Sequence, residues 1–339
     1  MAHVLVHIGP HKTGTTSIQK AFLAQREALR EAGVLYAAPR LMPERALAAA
    51  FSAESFFRHP HMRQHFAGTA EGRAWGERCW VEFEGEVATD RPQLAIISSE
   101  HIASVPEPAR LIDRLRRSFS RITVVAYVRD PVDLYQSLLQ QNIRGGKCLR
   151  ALPTPMEYRY PYDRLLRRFA DLVGAENLVV RNFARENLRG GDVVTDFCAV
   201  VSGFARMPPV APVRVNESLP GAALTWLMLA NETIGLKMPL AARRRTLAAL
   251  QASPEVAALP RLRMTRPRLE QHIRSRTRKT CIWLNDGFLS GQAPLAILPE
   301  AEQVQADGDA AAVRAEMRDW LLDYLTPEAQ RVIARAVTA

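Results

Sequence analysis

Lysine is scarce in this chain. Only Lys12, Lys20, Lys147, Lys237 and Lys279 occur among its 45 basic residues, so 40 are arginine. Acidic residues number 35, which leaves a net charge of +10. The four cysteines, Cys79, Cys148, Cys198 and Cys281, include no CxxC pair. That excludes a disulfide-dense secreted scaffold and reads as free, mostly buried thiols in a reducing compartment. No run approaches the ~18 consecutive apolar residues of a membrane span. The opening residues, Met1 to Gly9, turn polar too soon for a signal peptide and alternate like a buried strand. The cytoplasm is therefore the expected location. Hydrophobic content of 47% and charged content of 24% exclude a mostly disordered, collagen-like or coiled-coil chain. The basic excess predicts an anionic partner without naming one.

Strand-like and helix-like runs alternate over the first 200 residues or so. Strands are expected at Val4 to Ile8, Val34 to Tyr36, Leu94 to Ile97, Ile122 to Val128 and Asn177 to Val180. Helices are expected after Gly14, over about Glu71 to Val87, over Ala109 to Phe119, from Pro131, and over Asp163 to Val173. Short apolar strands separated by helices predict an α/β fold, with a central parallel sheet and helices on both faces. From about Pro208 helices dominate. They are expected over Leu219 to Ile234 and Leu240 to Leu250, and as a closing pair between Trp320 and Val337. No clear linker interrupts this pattern. The expected organisation is one main domain, residues 1–300, with a helical extension over 301–339 packed on it.

The strongest local signal is Gly9-Pro-His-Lys-Thr-Gly14-Thr-Thr16, between the first strand and the first helix. Glycines let such a loop turn tightly, so that its amides and the helix N-terminus face one anion. Thr13, Thr15 and Thr16 add hydroxyl donors. The Gly9-x4-Gly14 spacing fits a nucleoside triphosphate loop, but Thr15 stands where that loop has lysine. The lysine is Lys12, inside the turn.

The stretch Val4 to Gln19 resembles the 5′-phosphosulfate loop of the sulfotransferase family. The resemblance implies a three-layer, P-loop-like fold and 3′-phosphoadenosine 5′-phosphosulfate (PAPS) as donor. It also implies that Lys12 binds the phosphosulfate and steadies the leaving phosphate. Thr13, Gly14, Thr15 and Thr16 would hold the 5′-phosphate, with Ser17 following. A second family motif pairs an arginine with a serine eight residues later, both on the donor's 3′-phosphate. Arg129 and Ser137 have that spacing, inside Val124 to Ser137. The same residues make local sense. Asp130 can cap a helix, Pro131 suits its first position, and Arg129 ends a strand where open α/β sheets bind ligands. Arg129 could instead pair with Asp130 or Asp133. A magnesium-binding role for Asp130 lacks the lysine that a triphosphate loop would supply.

An acceptor needs a base for its proton. Leu94-Ala-Ile-Ile-Ser-Ser-Glu100-His101 offers two, Glu100 and His101, and the family uses a glutamate or a histidine in this neighbourhood. A structural turn is the remaining alternative. His7 reads as a core histidine, and His11 could touch donor or acceptor. No metal-ligand cluster is visible, and sulfuryl transfer needs no metal in principle. Softer resemblance, to the bacterial branch of the family, continues through Tyr162 to Phe197 and Asn216 to Leu219. The basic stretch Arg261 to Lys279 could hold the 3′-phosphate or be a solvated helix face. Tyr158, Tyr160 and Tyr162 among arginines suit a glycan or a set of core tyrosines.

The expected function is thus PAPS-dependent sulfuryl transfer to a hydroxyl or amine, a glycan among the acceptors allowed. The partners are PAPS and that acceptor, not nucleic acid. The alternatives are a P-loop kinase using ATP and magnesium, and a non-catalytic module binding a nucleotide or polyanion.

Overall fold

The computed structural model describes residues 2–213, 218–233, 239–304 and 309–338. Five strands form one sheet: β1 (Ala2–His7), β2 (Val34–Tyr36), β3 (Leu94–Ser98), β4 (Phe119–Val128) and β5 (Leu178–Asn182). Their order is β2-β3-β1-β4-β5, and every neighbouring pair is parallel. The chain forms two compact bodies. One comprises Met1–Arg129, Pro161–Val215 and Trp283–Leu295; the other comprises Asp130–Tyr160, Asn216–Ile282 and Ala296–Ala339.

The first body holds the whole sheet. Successive strand residues point to opposite faces, so a sheet covered on both sides must be apolar throughout. On one face Leu5, Ile96, Val125 and Tyr127 meet Ile18 and Phe22 of helix Thr15–Ala24 and Phe197 of helix Val193–Ser202. Val4, Val6, Val124 and Ala126, which alternate with them, are equally buried. Helix Tyr162–Val173 packs on β4 and β5. The 22-residue helix Thr69–Asp90 buries Trp75, Cys79, Trp80, Phe83 and Val87 at helical spacing. Trp80 donates its indole N–H to the carbonyl of Leu47 at 2.8 Å. The expected α/β architecture, a parallel sheet flanked by helices, is what the chain builds.

One boundary differs from expectation. The helix beginning at Pro108 ends at Leu115, and Phe119 starts β4 instead of ending the helix. Burial at Leu115, Phe119 and Ile122 still follows helical spacing, but the unbroken buried run Ile122 to Val128 suits only an interior strand, and that strand extends back to Phe119.

The second body is helical. Its core joins Tyr135 and Leu139 of helix Pro131–Arg144 to Met228 of helix Gly221–Thr233 and to Met317 and Trp320 of helix Ala310–Leu322. Among its described residues β structure is limited to an isolated bridge between Pro220 and Arg261. A closing pair of helices is present, as Ala310–Leu322 and Pro327–Thr338, the first of them ending rather than beginning near Trp320. Asn216 and Ile234, the outer bounds of two expected segments, lie outside the described residues. Three cysteines are buried, Cys198 is half-buried, and all four are free. No helix among the described residues is long and apolar enough to cross a membrane.

Candidate functional site

Strand order decides what meets the first loop. β1 lies between β3 and β4, so the residues that follow all three strands share one edge of the sheet. Parallel sheets bind ligands at that carboxyl edge, beside the strand where the order reverses. The edge gathers Gly9 to Thr16 after β1, Ser99 to His101 after β3, and Arg129 after β4.

The loop has unusual backbone geometry. Gly9, Lys12 and Gly14 all have positive φ, at 82°, 71° and 79°. Glycine adopts such angles freely, whereas lysine does so at a cost. A Cβ on Gly9 would lie 2.9 Å from Glu100 Cβ, and one on Gly14 would lie 2.7 Å from a methyl of Val193. Both glycines are therefore needed for space as well as conformation. Thr13 is fully buried and donates its hydroxyl to the carbonyl of Pro10 at 2.5 Å. That hydroxyl is committed inside the loop, so Thr13 can offer an anion its backbone N–H. Thr15 is buried, yet its hydroxyl oxygen has no hydrogen-bond partner. An unmatched buried donor facing a loop of this shape suits an oxyanion. Lys12 and Ser17 are half-buried and Thr16 is exposed. No side chain caps the helix Thr15–Ala24, which leaves its N-terminus to whatever binds there.

Glu100 and His101 sit together beside the loop. Their side chains are 17% and 12% exposed, and the His101 Nε2 lies 4.0 Å from Glu100 Oε1. Gln19, from the first helix, donates to Ser98 O at 3.2 Å and to Glu100 Oε2 at 3.1 Å. It fixes the carboxylate from a position 81 residues away in sequence. Burial, followed by the charge of Arg45, pushes His101 down to about 3. His101 is thus neutral at physiological pH and a poor proton acceptor. His11 is exposed and meets the His101 ring edge-on, with centroids 5.5 Å apart. Arg129 donates to the carbonyl of Lys12 at 3.3 Å and lies 5.7 Å from the Phe183 ring centroid. Arg129 and Lys12, from the ends of two neighbouring strands, thus meet at the sheet edge.

His7 is a core residue. It bonds Ser98 Oγ through Nδ1 at 2.8 Å, while Nε2 has no partner. Burial pushes it down to about 3. Both His7 and His101 therefore titrate well below the ~6.5 of an unfolded histidine. Between about pH 3 and 6.5 the unfolded chain binds more protons than the folded one. The stability is fully present above pH 6.5 and is lost as pH falls. Each histidine can contribute up to about 1.4 kcal/mol per pH unit. Urea unfolding midpoints should therefore drop steadily from pH 6.5 to 4.5, and His7→Gln should flatten that slope. An unchanged slope in the variant would contradict this assignment.

In the second body, Ser137 is half-buried on the helix Pro131–Arg144. Asp130 caps that helix, accepting from the amides of Val132 at 2.9 Å and Asp133 at 3.4 Å. It also accepts from Arg274 at 3.1 Å. Its carboxylate is thus tied to a cap and an arginine, as a structural residue would be. Three arginines of the basic stretch are similarly occupied. Arg266 pairs with Asp323, Arg274 also with Glu270, and Arg278 with Glu300 and the carbonyl of Leu298. Tyr158 is 4% exposed and belongs to the helical core; Tyr162, in the first body, is fully buried. These two tyrosines are core residues and present no sugar-binding face. Among the described residues, no group of three or more His, Cys, Asp or Glu side chains could hold a metal ion.

No protein-family model matches this chain, and no curated protein does. Among solved structures, a sulfotransferase from Alicyclobacillus acidocaldarius is similar at 17% identity and a TM-score of 0.39. That match covers 71% of this chain and 98% of the other. A structure from the PezAT chromosomal toxin-antitoxin system of Streptococcus pneumoniae matches at 11% identity and a TM-score of 0.32, over 69% and 85% of the two chains. At these levels neither likeness carries an argument about function.

Proposed function

We propose that this protein transfers a sulfuryl group from PAPS to a hydroxyl or amine of an acceptor. The observation that carries the reading is the position of Lys12. It lies within the turn, not after Gly14, and Arg129 bonds to its carbonyl. In this reading Lys12, the hydroxyl of Thr15 and the amides from Thr13 to Thr16 hold the phosphosulfate, while the Ser17 amide closes the first turn on the carbonyl of Gly14. Arg129 holds the 3′-phosphate with its planar fork.

Glu100 is the base in this scheme, because Gln19 orients its carboxylate whereas His101 titrates too low to compete. The acceptor proton passes to Glu100 as the acceptor oxygen or nitrogen bonds to sulfur. The bond between sulfur and the bridging oxygen breaks, and Lys12 offsets the charge left on the phosphate. Positioning and charge stabilisation supply most of the rate enhancement, as in phosphoryl transfer.

The test is ligand-induced thermal stabilisation. 3′-Phosphoadenosine 5′-phosphate (PAP) should raise the melting temperature, by about 2.7 kcal/mol of stability at 100 times its Kd. ATP with magnesium should do far less. Stabilisation by ATP and magnesium alone would overturn the proposal in favour of a kinase.

A further inference from the structure

The helix Pro43–Ala49 brings another cation to the Glu100 side of the sheet edge. The hydroxyl of Ser99 donates to the carbonyl of Glu44 at 2.5 Å, which ties this helix to the end of β3. Arg45 follows Glu44 and its side chain is only 15% exposed. Its Nε lies 3.3 Å from Glu44 Oε1. Its guanidinium carbon is 6.0 Å from the Phe56 ring centroid. Phe56 in turn meets His101, with centroids 5.2 Å apart. The charge of Arg45 also reaches both His101 and His59, where it lowers each after the larger effect of burial.

Among the described residues, the two terminal nitrogens of Arg45 make no hydrogen bond. Neither is a buried atom lacking a partner, so the fork reaches solvent while the rest of the side chain is covered. The covered stem fixes the side chain, so little freedom is lost when the fork binds. Its open edge matches the planar geometry of a carboxylate. The donor is served elsewhere. Arg129 follows β4, on the opposite side of β1 from β3.

We infer that Arg45 is a binding residue for the acceptor, and that the acceptor carries a carboxylate near the group that is sulfated. The inference rests on the sulfotransferase reading for what is transferred, whereas the binding claim can be tested without turnover.

The experiment titrates wild type, Arg45→Gln and Arg45→Lys with two matched pairs, each with and without PAP. One pair is 4-nitrophenyl β-glucuronide and 4-nitrophenyl β-glucoside. The other is 4-hydroxyphenylacetate and 4-hydroxyphenylacetamide. At least one carboxylate should bind wild type tenfold or more tightly than its neutral partner. Arg45→Gln should abolish that preference, and Arg45→Lys should restore part of it. No carboxylate preference in either pair, or a preference that survives Arg45→Gln, overturns the inference. Failure of PAP itself to bind counts against the sulfotransferase reading instead, and is read in the same titrations.

Discussion

Lys12→Ala should lower sulfate transfer by at least 100- to 1,000-fold, the scale seen when one preorganised charge-stabilising donor is removed. On the proposed function the loss should fall mainly on kcat, because Lys12 would oppose charge that develops only as the phosphate leaves. The unliganded melting temperature should barely move. Lysine and alanine carry similar costs at a φ of 71°, and Lys12 is half-buried, not a core residue. Turnover from labelled PAPS, read beside thermal unfolding of the same preparation, checks both parts. A variant with wild-type turnover would mean that the loop does not serve the reacting group.

Asp196→Ala should cost about 3–5 kcal/mol of stability, the range for one partner removed from a buried ion pair. Asp196 is 1% exposed on helix Val193–Ser202. Its carboxylate accepts from Arg181 at 2.5 and 3.0 Å, from the Tyr127 hydroxyl at 2.9 Å and from the amide of Arg189 at 3.0 Å. Truncation would leave a buried phenol and an amide without their acceptor, and the Arg181 guanidinium with only the carbonyl of Asn187. The same helix supplies Val193, the residue that leaves no room for a Cβ on Gly14. Damage at Asp196 should therefore also loosen the anion loop. Denaturant unfolding should show the loss, and PAP should stabilise the variant less than wild type. Asp196→Asn keeps a carbonyl acceptor and should lose less. Equal stability of Asp196→Ala and wild type would exclude a role for this network in holding the fold.

The loop and the strand ends were legible in the sequence because their signals are local. Gly9 to Thr16 follows an apolar strand and precedes a helix, and Glu100 directly follows another strand. Their proximity was less legible, because it depends on β1 lying between β3 and β4. Gln19 and Glu100 are far apart in sequence and meet only through that order. Arg45 gave no signal, being one of 40 arginines. What distinguishes it is an open guanidinium edge on a covered stem, which needs three-dimensional packing to be visible. Asp196 lies within Tyr162 to Phe197, a stretch that carried only the softer resemblance. Its importance comes from partners on β4 and β5. Tyr158 and Tyr162 show the reverse. Their spacing among arginines suited a ligand face, but burial makes them packing residues.

The left-handed backbone at Lys12 sets folding against chemistry at one position. Glycine would relax that turn and, by itself, favour the folded chain. A library sorted for thermostability alone would accept glycine there, whereas one sorted for turnover would reject it. Comparing the two outcomes would separate what the turn needs to exist from what it needs to work.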